Sequence, residues 1–175
     1  RKRGNEQLLA FIKEKHAGES GIVYTSSRAK AETICAFLAA EGINCLCYHA
    51  GLSREQRELS QTRFLHEKDA VIVATIAFGM GIDKADVRFV AHTSLPKSIE
   101  NYVQEIGRAR GDRHQAEAWL CFSGGDAFFQ KKRIAESDAE DWYKNISEVK
   151  QDVMQGYAES TECPINLLLA DFGEE

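Results

Sequence analysis

The sequence has 175 residues, 43% hydrophobic and 28% charged, enough to bury one core and too short for two full domains. Two prolines and no low-complexity tract argue against disorder, and no apolar run nears the length that spans a bilayer. A formal net charge of −5 excludes a domain that grips nucleic acid by overall charge, so any such contact falls to local groups. Arg1-Lys2-Arg3-Gly4 opens on a helical pattern without an apolar h-region, which predicts no signal peptide; the start reads as trimmed from a longer chain. Cys35, Cys45, Cys47, Cys121 and Cys163 are odd in number and mostly set in apolar runs, which predicts buried thiols in a reducing, intracellular compartment.

In chain order, Ile22–Thr25 and Ile43–Tyr48 are β-rich runs, and between them Ala31, Ile34, Cys35 and Leu38 recur at helical spacing. That is a βαβ unit. Ser53, with Gln56 three residues on, is a capping-box signal for a helix reaching about Leu65. The unbroken apolar run Ala70–Ala74 predicts a strand buried on both faces. A strand over Val87–Ala91 leads to a helix holding Ile99, Tyr102, Val103 and Ile106, and Ala118–Phe122 predicts one more strand. The alternation implies an α/β domain with a mostly parallel sheet, whose ligands sit beyond the carboxyl ends of the strands, after Thr25, Tyr48, Thr75 and His92. Beyond Ser123-Gly124-Gly125 the pattern turns helical and charged around Asp138–Glu159, then apolar from Ile165 to Phe172.

The sequence holds no Gly-x-x-x-x-Gly-Lys-Ser/Thr loop to cradle β and γ phosphates, and no Ser-His-Asp set, paired carboxylates or credible metal-ligand spacing. It does carry an ordered set of loop motifs: Val23–Arg28 (VYTSSR), Tyr48–Leu52 (YHAGL), Ala74–Lys84 (ATIAFGMGIDK) and Gln104–Ala109 (QEIGRA). With these four motifs in this order the chain resembles the RecQ family of DNA helicases over nearly its whole length. Cys163 to Glu175 resembles the start of that family's zinc-binding subdomain. The resemblance implies a RecA-like second motor domain over 1–122, a helical extension over 123–160 and a truncated zinc subdomain over 161–175. It further implies 3′-to-5′ movement on DNA, fuelled by ATP and Mg2+ in a cleft shared with a first RecA-like domain. Such a protein works in the cytoplasm, at the nucleoid, or in a eukaryotic nucleus.

The residues carry their own chemistry. Ser26, Ser27 and Arg28 follow a strand and open a helix, where free N–H groups and hydroxyls suit a phosphate, or where Ser27 simply caps. The resemblance turns this loop, and Thr75, toward the DNA backbone. His49 is either a structural hydrogen-bonder or a DNA contact, beside Gly51, which permits close backbone approach. Gly81, Asp83, Gln104 and Arg108 are placed at the nucleotide by resemblance, Asp83 being otherwise a turn carboxylate. Gln104 and Arg108, four apart, are expected on one side of a helix ending near Gly107. The family uses an arginine of this segment at the γ phosphate, which makes Arg108 and Arg110 the catalytic candidates.

Two departures stand out. Where the family pattern is Gly-Arg-Ala-Gly-Arg-Asp-Gly, residues 107–113 read Gly-Arg-Ala-Arg-Gly-Asp-Arg, inverting the second pair at Arg110-Gly111. Cys163, the counterpart of a first zinc ligand, is followed by Pro164-Ile165 instead of basic residues, and its partner ligands are not in the chain, so zinc belongs to a full-length protein only. Lys131-Lys132-Arg133 is read as a solvated helix face. A non-catalytic DNA-binding module and an RNA helicase domain are the alternatives.

Overall fold

The computed structural model describes residues 2–75, 84–110 and 114–160. The chain divides into two compact units, one of residues up to Ser94 with Glu105–Cys121, the other of Leu95–Gln104 with the chain from Phe122.

In chain order the first unit carries α1 (Lys2–Lys15), β1 (Ser20–Tyr24), α2 (Arg28–Ala40), β2 (Cys45–Tyr48), α3 (Arg54–His66), β3 (Val71–Ala74), β4 (Val87–His92) and, after α4 (Ile99–Ile106) has begun in the second unit, a 3-10 turn (Gly107–Arg110) and β5 (Glu117–Leu120). The strands form one sheet in the order β2-β3-β1-β4-β5, every neighbouring pair parallel, as the alternation of runs predicts. β1 feeds leftward to β2 through α2 while β4 feeds rightward to β5, so the crevice of an open α/β sheet falls beyond the adjacent carboxyl ends of β1 and β4.

Residue alternation sorts the core onto the two faces of the sheet. Val23, Val71, Val73, Phe89 and Ala91 meet Leu8 and Ile12 of α1 and Ala31, Ile34, Cys35 and Leu38 of α2. Ile22, Tyr24, Leu46, Ile72, Ala74 and Val90 meet Phe64 of α3 and Ile106 and Ala109 on the other face. Val71–Ala74 are buried throughout, which the apolar run foretold. Gly21 faces Phe89 across the β1–β4 register, and an added Cβ there would stand 2.1 Å from the Phe89 ring. That ring is held by Phe11 edge-on at 5.6 Å and by His16 at 4.8 Å.

Ser53 closes the expected capping box on α3: its hydroxyl accepts the Gln56 N–H at 3.1 Å and the Gln56 side chain accepts the Ser53 N–H at 3.0 Å. Cys35 is buried and Cys45, Cys47 and Cys121 half-buried, all as free thiols. Burial is thus less complete than the apolar runs suggest.

The second unit holds the start of α4, then α5 (Gly124–Ala135) and α6 (Asp141–Glu159). α5 begins at the start of the stretch read as helical, where Ser123 and Asp126 form a capping box of their own. Buried Gln151 donates to the Ala127 carbonyl at 3.2 Å and the Gln130 side chain at 3.0 Å, and Gln130 donates to the Leu95 carbonyl. Lys131 pairs with Asp152 at 2.5 Å and Lys132 with Glu136 at 3.6 Å, which fits the solvated face read for this run. Lys150 lies 2.8 Å from Glu100 and, with the backbone N–H and Ser98, draws its carboxyl down to about 2. No helix among the described residues is long and apolar enough to cross a membrane.

Candidate nucleotide and nucleic-acid site

The site is built on the carboxyl ends of β1 and β4. The Thr93 N–H donates to the Tyr24 carbonyl at 3.0 Å, extending the ladder one residue past each strand. Ser94 then reaches over to the β1 loop: its hydroxyl accepts the Ser26 N–H at 3.3 Å and donates to Ser26 Oγ at 3.1 Å. Lys30, one turn into α2, donates to Ser94 Oγ at 2.7 Å and to the Thr93 carbonyl. The Ser26 side chain is therefore oriented by buried Ser94, whose hydroxyl is itself held by the Lys30 ammonium of the helix that follows. Ser27 is the N-cap of α2, its hydroxyl accepting the Lys30 N–H at 3.2 Å, and Arg28 opens the helix, exposed. Capping and an anion-facing helix start coexist here, since one cap bond leaves other first-turn N–H groups outward.

His49 takes the structural place among its two alternatives. It is 2% exposed; Nδ1 accepts the Gly51 N–H at 3.1 Å and Nε2 donates to Glu32 at 3.0 Å, so both ring nitrogens are spent inside the protein. The ring shapes the loop from below. Gly51 is exposed, and a Cβ there would press on His49 at 3.1 Å and on the Arg28 stem at 3.2 Å, so this glycine lets the β2 loop lie close against Arg28. Thr75 directly follows β3, its N–H donating to the Tyr48 carbonyl at 3.3 Å. Gly81, Asp83 and Cys163 lie outside the described residues.

The candidate finger segment differs from the single helix expected. α4 closes at Ile106 and the chain tightens at Gly107 into the 3-10 turn, with Ala109 off helical values at φ −84° and ψ 17°. Glycine is a poor helix former, and a short 3-10 turn is a common helix ending. The i,i+4 argument joining Gln104 to Arg108 is thereby corrected, because Gln104 is on α4 and Arg108 is not. Gln104 is exposed and Arg108 half-buried. Arg110 ends the turn, and its side chain is outside the description.

Ala109, 4% exposed, pins the turn in the core, and the Arg108 charge acts on the Tyr24 phenol. Beneath them Tyr24 stacks on His92 at 5.3 Å, and His92 Nε2 lies 2.6 Å from buried Glu105. Burial, with the nearby Glu105 carboxylate, pushes the Tyr24 phenol well above its ordinary range, against the opposing pull of Arg108. The phenol stays neutral. Arg108 Nε is buried with no acceptor among the described residues. Tyr24, Lys30, His92, Ser94 and Glu105 were not singled out from sequence. The available signal was a tyrosine and a histidine ending two otherwise apolar strands.

No group of three or more His, Cys, Asp or Glu among the described residues is arranged to hold a metal ion.

The comparisons agree with that geometry. Residues 4–111 match the model of the helicase conserved C-terminal domain, and the chain belongs to that family. Among its relatives, it is 44% identical over 169 residues to the ATP-dependent DNA helicase RecQ of Pasteurella multocida, covering 97% of this chain and 26% of that protein. It is 41% identical over 176 residues to the RecQ-like DNA helicase BLM of Xenopus laevis, covering 99% of this chain and 13% of that protein. The chain thus spans about a quarter or less of these relatives' length. In three dimensions it is similar to Saccharomyces cerevisiae Dbp5 bound to Gle1 and IP6, with a TM-score of 0.64 at 19% identity, covering 88% of this chain and 43% of that one. The RecA-like fold of a helicase C-terminal domain follows.

Proposed function

We propose that this chain is the second motor domain of an ATP-dependent 3′-to-5′ DNA helicase, contributing one wall of the ATP cleft and a grip on the DNA backbone. The observation that carries the reading is the oriented Ser26–Arg28 loop at the adjacent carboxyl ends of β1 and β4, where an open α/β sheet binds its ligands. Ser26, Ser27, Arg28 and Thr75 contact backbone phosphates, with His49 and Gly51 shaping the loop beside Arg28. Arg108, whose donors are only partly spent inside the protein, fits a triphosphate. Gly81, Asp83 and Gln104 complete this side, Mg2+ and the P-loop coming from the first motor domain. Mg-ATP supplies the free energy. Arg108 stabilises charge developing on the transferred phosphoryl group, and closing and opening of the cleft move the DNA grip along one strand. Without a P-loop the fragment alone hydrolyses no ATP. Cys163 is assigned to a zinc site completed in the full-length protein, and residues 1–122, 123–160 and 161–175 to motor, helical extension and zinc subdomain. The protein works where DNA is, in the cytoplasm or nucleus.

The inverted Arg110-Gly111 pair supplies the test against a non-catalytic binding module. In the full-length protein, DNA-stimulated ATP hydrolysis is compared between the natural sequence and the double substitution Arg110→Gly, Gly111→Arg. The motor reading expects the natural order to hydrolyse fully and the swap to add nothing. Hydrolysis that appears only after the swap assigns the natural chain to a DNA-binding protein.

A further inference from the structure

The partners of Ser94 Oγ fix the direction of its bond to Ser26. The Lys30 ammonium, 2.7 Å away, has no lone pair and only donates. The Ser26 N–H, 3.3 Å away, also only donates. A hydroxyl oxygen accepts two such bonds, so both lone pairs of Ser94 are taken and its own proton goes to the remaining contact, Ser26 Oγ at 3.1 Å. Ser26 Oγ is therefore the acceptor in that pair, and its own proton serves a contact beyond it. The support is firm: Ser94 is 5% exposed, Lys30 also donates to the Thr93 carbonyl, and the Thr93 N–H closes on the Tyr24 carbonyl at 3.0 Å.

The direction matters because a hydroxyl is both donor and acceptor, and an anion is stabilised only by the donor. Were Ser26 to donate to Ser94, its lone pairs would face the ligand and repel a phosphate oxygen. A cation at the head of a hydrogen-bonded chain also polarises each link after it. We propose that Lys30 and Ser94 are the positioning residues of the nucleic-acid loop: a relay from the ammonium through Ser94 holds Ser26 as a donor toward an anionic backbone phosphate. Lys30 acts here through Ser94 and not by touching the phosphate. The inference rests on the proposed role of Ser26 at the DNA backbone. It adds the two residues, one from α2 and one from beyond the end of β4, that set the polarity of that contact.

The test is equilibrium binding of a fluorescent single-stranded oligothymidylate to the full-length protein, with the urea midpoint of each variant as control. The variants are Ser26→Ala, Ser94→Ala, Ser94→Thr, Lys30→Met and the double variant Ser26→Ala/Ser94→Ala. Ser26→Ala, Ser94→Ala and Lys30→Met are each expected to weaken binding about 10-fold, the low end for a hydrogen bond to a charged group. In the double variant Ser94→Ala costs nothing further, because its whole effect passes through Ser26. A merely structural role behaves otherwise: a loop distorted by the loss of Ser94 also misplaces Ser27 and Arg28 and adds its own cost. Ser94→Thr keeps the hydroxyl and recovers the parental affinity. Lys30→Met leaves the salt dependence of binding parental, since Lys30 releases no counterion of its own, whereas a direct phosphate contact would lower the slope by about one. Parental affinity in Ser94→Ala or in Lys30→Met, a full added loss in the double variant, a threonine as weak as the alanine, or that fall in slope overturns the relay. Lys30→Met stands in if Ser94→Ala unfolds early. If Ser26→Ala itself binds as the parent does, the assignment of Ser26 to the DNA backbone fails instead, and the two failures are told apart in one set of titrations.

Discussion

Arg108→Ala in the full-length protein is expected to lower DNA-stimulated kcat for ATP hydrolysis about 10²- to 10³-fold, the usual cost of removing one preorganised donor from a site of developing charge. KM for ATP moves little, since the contact strengthens only as charge builds on the transferred group. Arg108→Lys recovers only part of the loss, because an ammonium keeps the charge and loses the planar fork that meets phosphate oxygens two at a time. Measured kcat and KM for these variants, with DNA affinity as the control, read the effect directly. Hydrolysis by Arg108→Ala within a few-fold of the parent would assign the finger to another arginine.

Gly21→Ala is the largest expected effect on stability. A Cβ at this position would sit 2.1 Å from one Phe89 ring atom and within 2.4 Å of two others. Phe89 cannot swing clear, being fully buried and packed against Phe11 and His16. Overpacking of a well-filled core costs about 1–3 kcal/mol and more where nothing can yield, so destabilisation by at least about 3 kcal/mol is expected here. Equilibrium urea unfolding gives the value. Adding Phe89→Leu to Gly21→Ala should restore part of the loss while destabilising the parent, a coupling of opposite sign to simple additivity. Equal midpoints for Gly21→Ala and the parent would show that the ring does not stand over this glycine.

Much of the architecture was open to reading because the first unit obeys local rules. The apolar run at 70–74 had no polar alternation and became the doubly buried β3; Ser53 and Gln56 gave α3 its start; Ala31, Ile34, Cys35 and Leu38 are the buried side of α2. α5 lies in the stretch read as helical, but its capping box went unread because its N3 residue is aspartate in place of glutamate or glutamine, and Phe128 and Phe129, 64% and 55% exposed, do not mark a buried face. The helix read as ending near Gly107 closes at Ile106, where glycine, followed by a core-anchored Ala109, lets the chain tighten into a 3-10 turn. In the candidate site, Ser27 and Arg28 were found because strand, cap and helix are contiguous. Ser94 was not, lying 68 residues from Ser26 and joined to it only by parallel strand pairing. The same holds for the meeting of Tyr24 with His92, since strand order is a property of the folded sheet. His49 was left between two roles because a histidine's partners decide its work, and Glu32 and Gly51 are visible as partners only in the fold.

The measurement that bears most directly on the central claim is ATP-dependent strand displacement by the full-length protein on a DNA duplex with a 3′ single-stranded tail, set beside a 5′-tailed duplex and an RNA duplex. The account predicts unwinding of the 3′-tailed DNA, dependent on hydrolysable ATP, and little on the other two. Tight DNA binding with no unwinding and no hydrolysis would contradict it, making this fold a binding module.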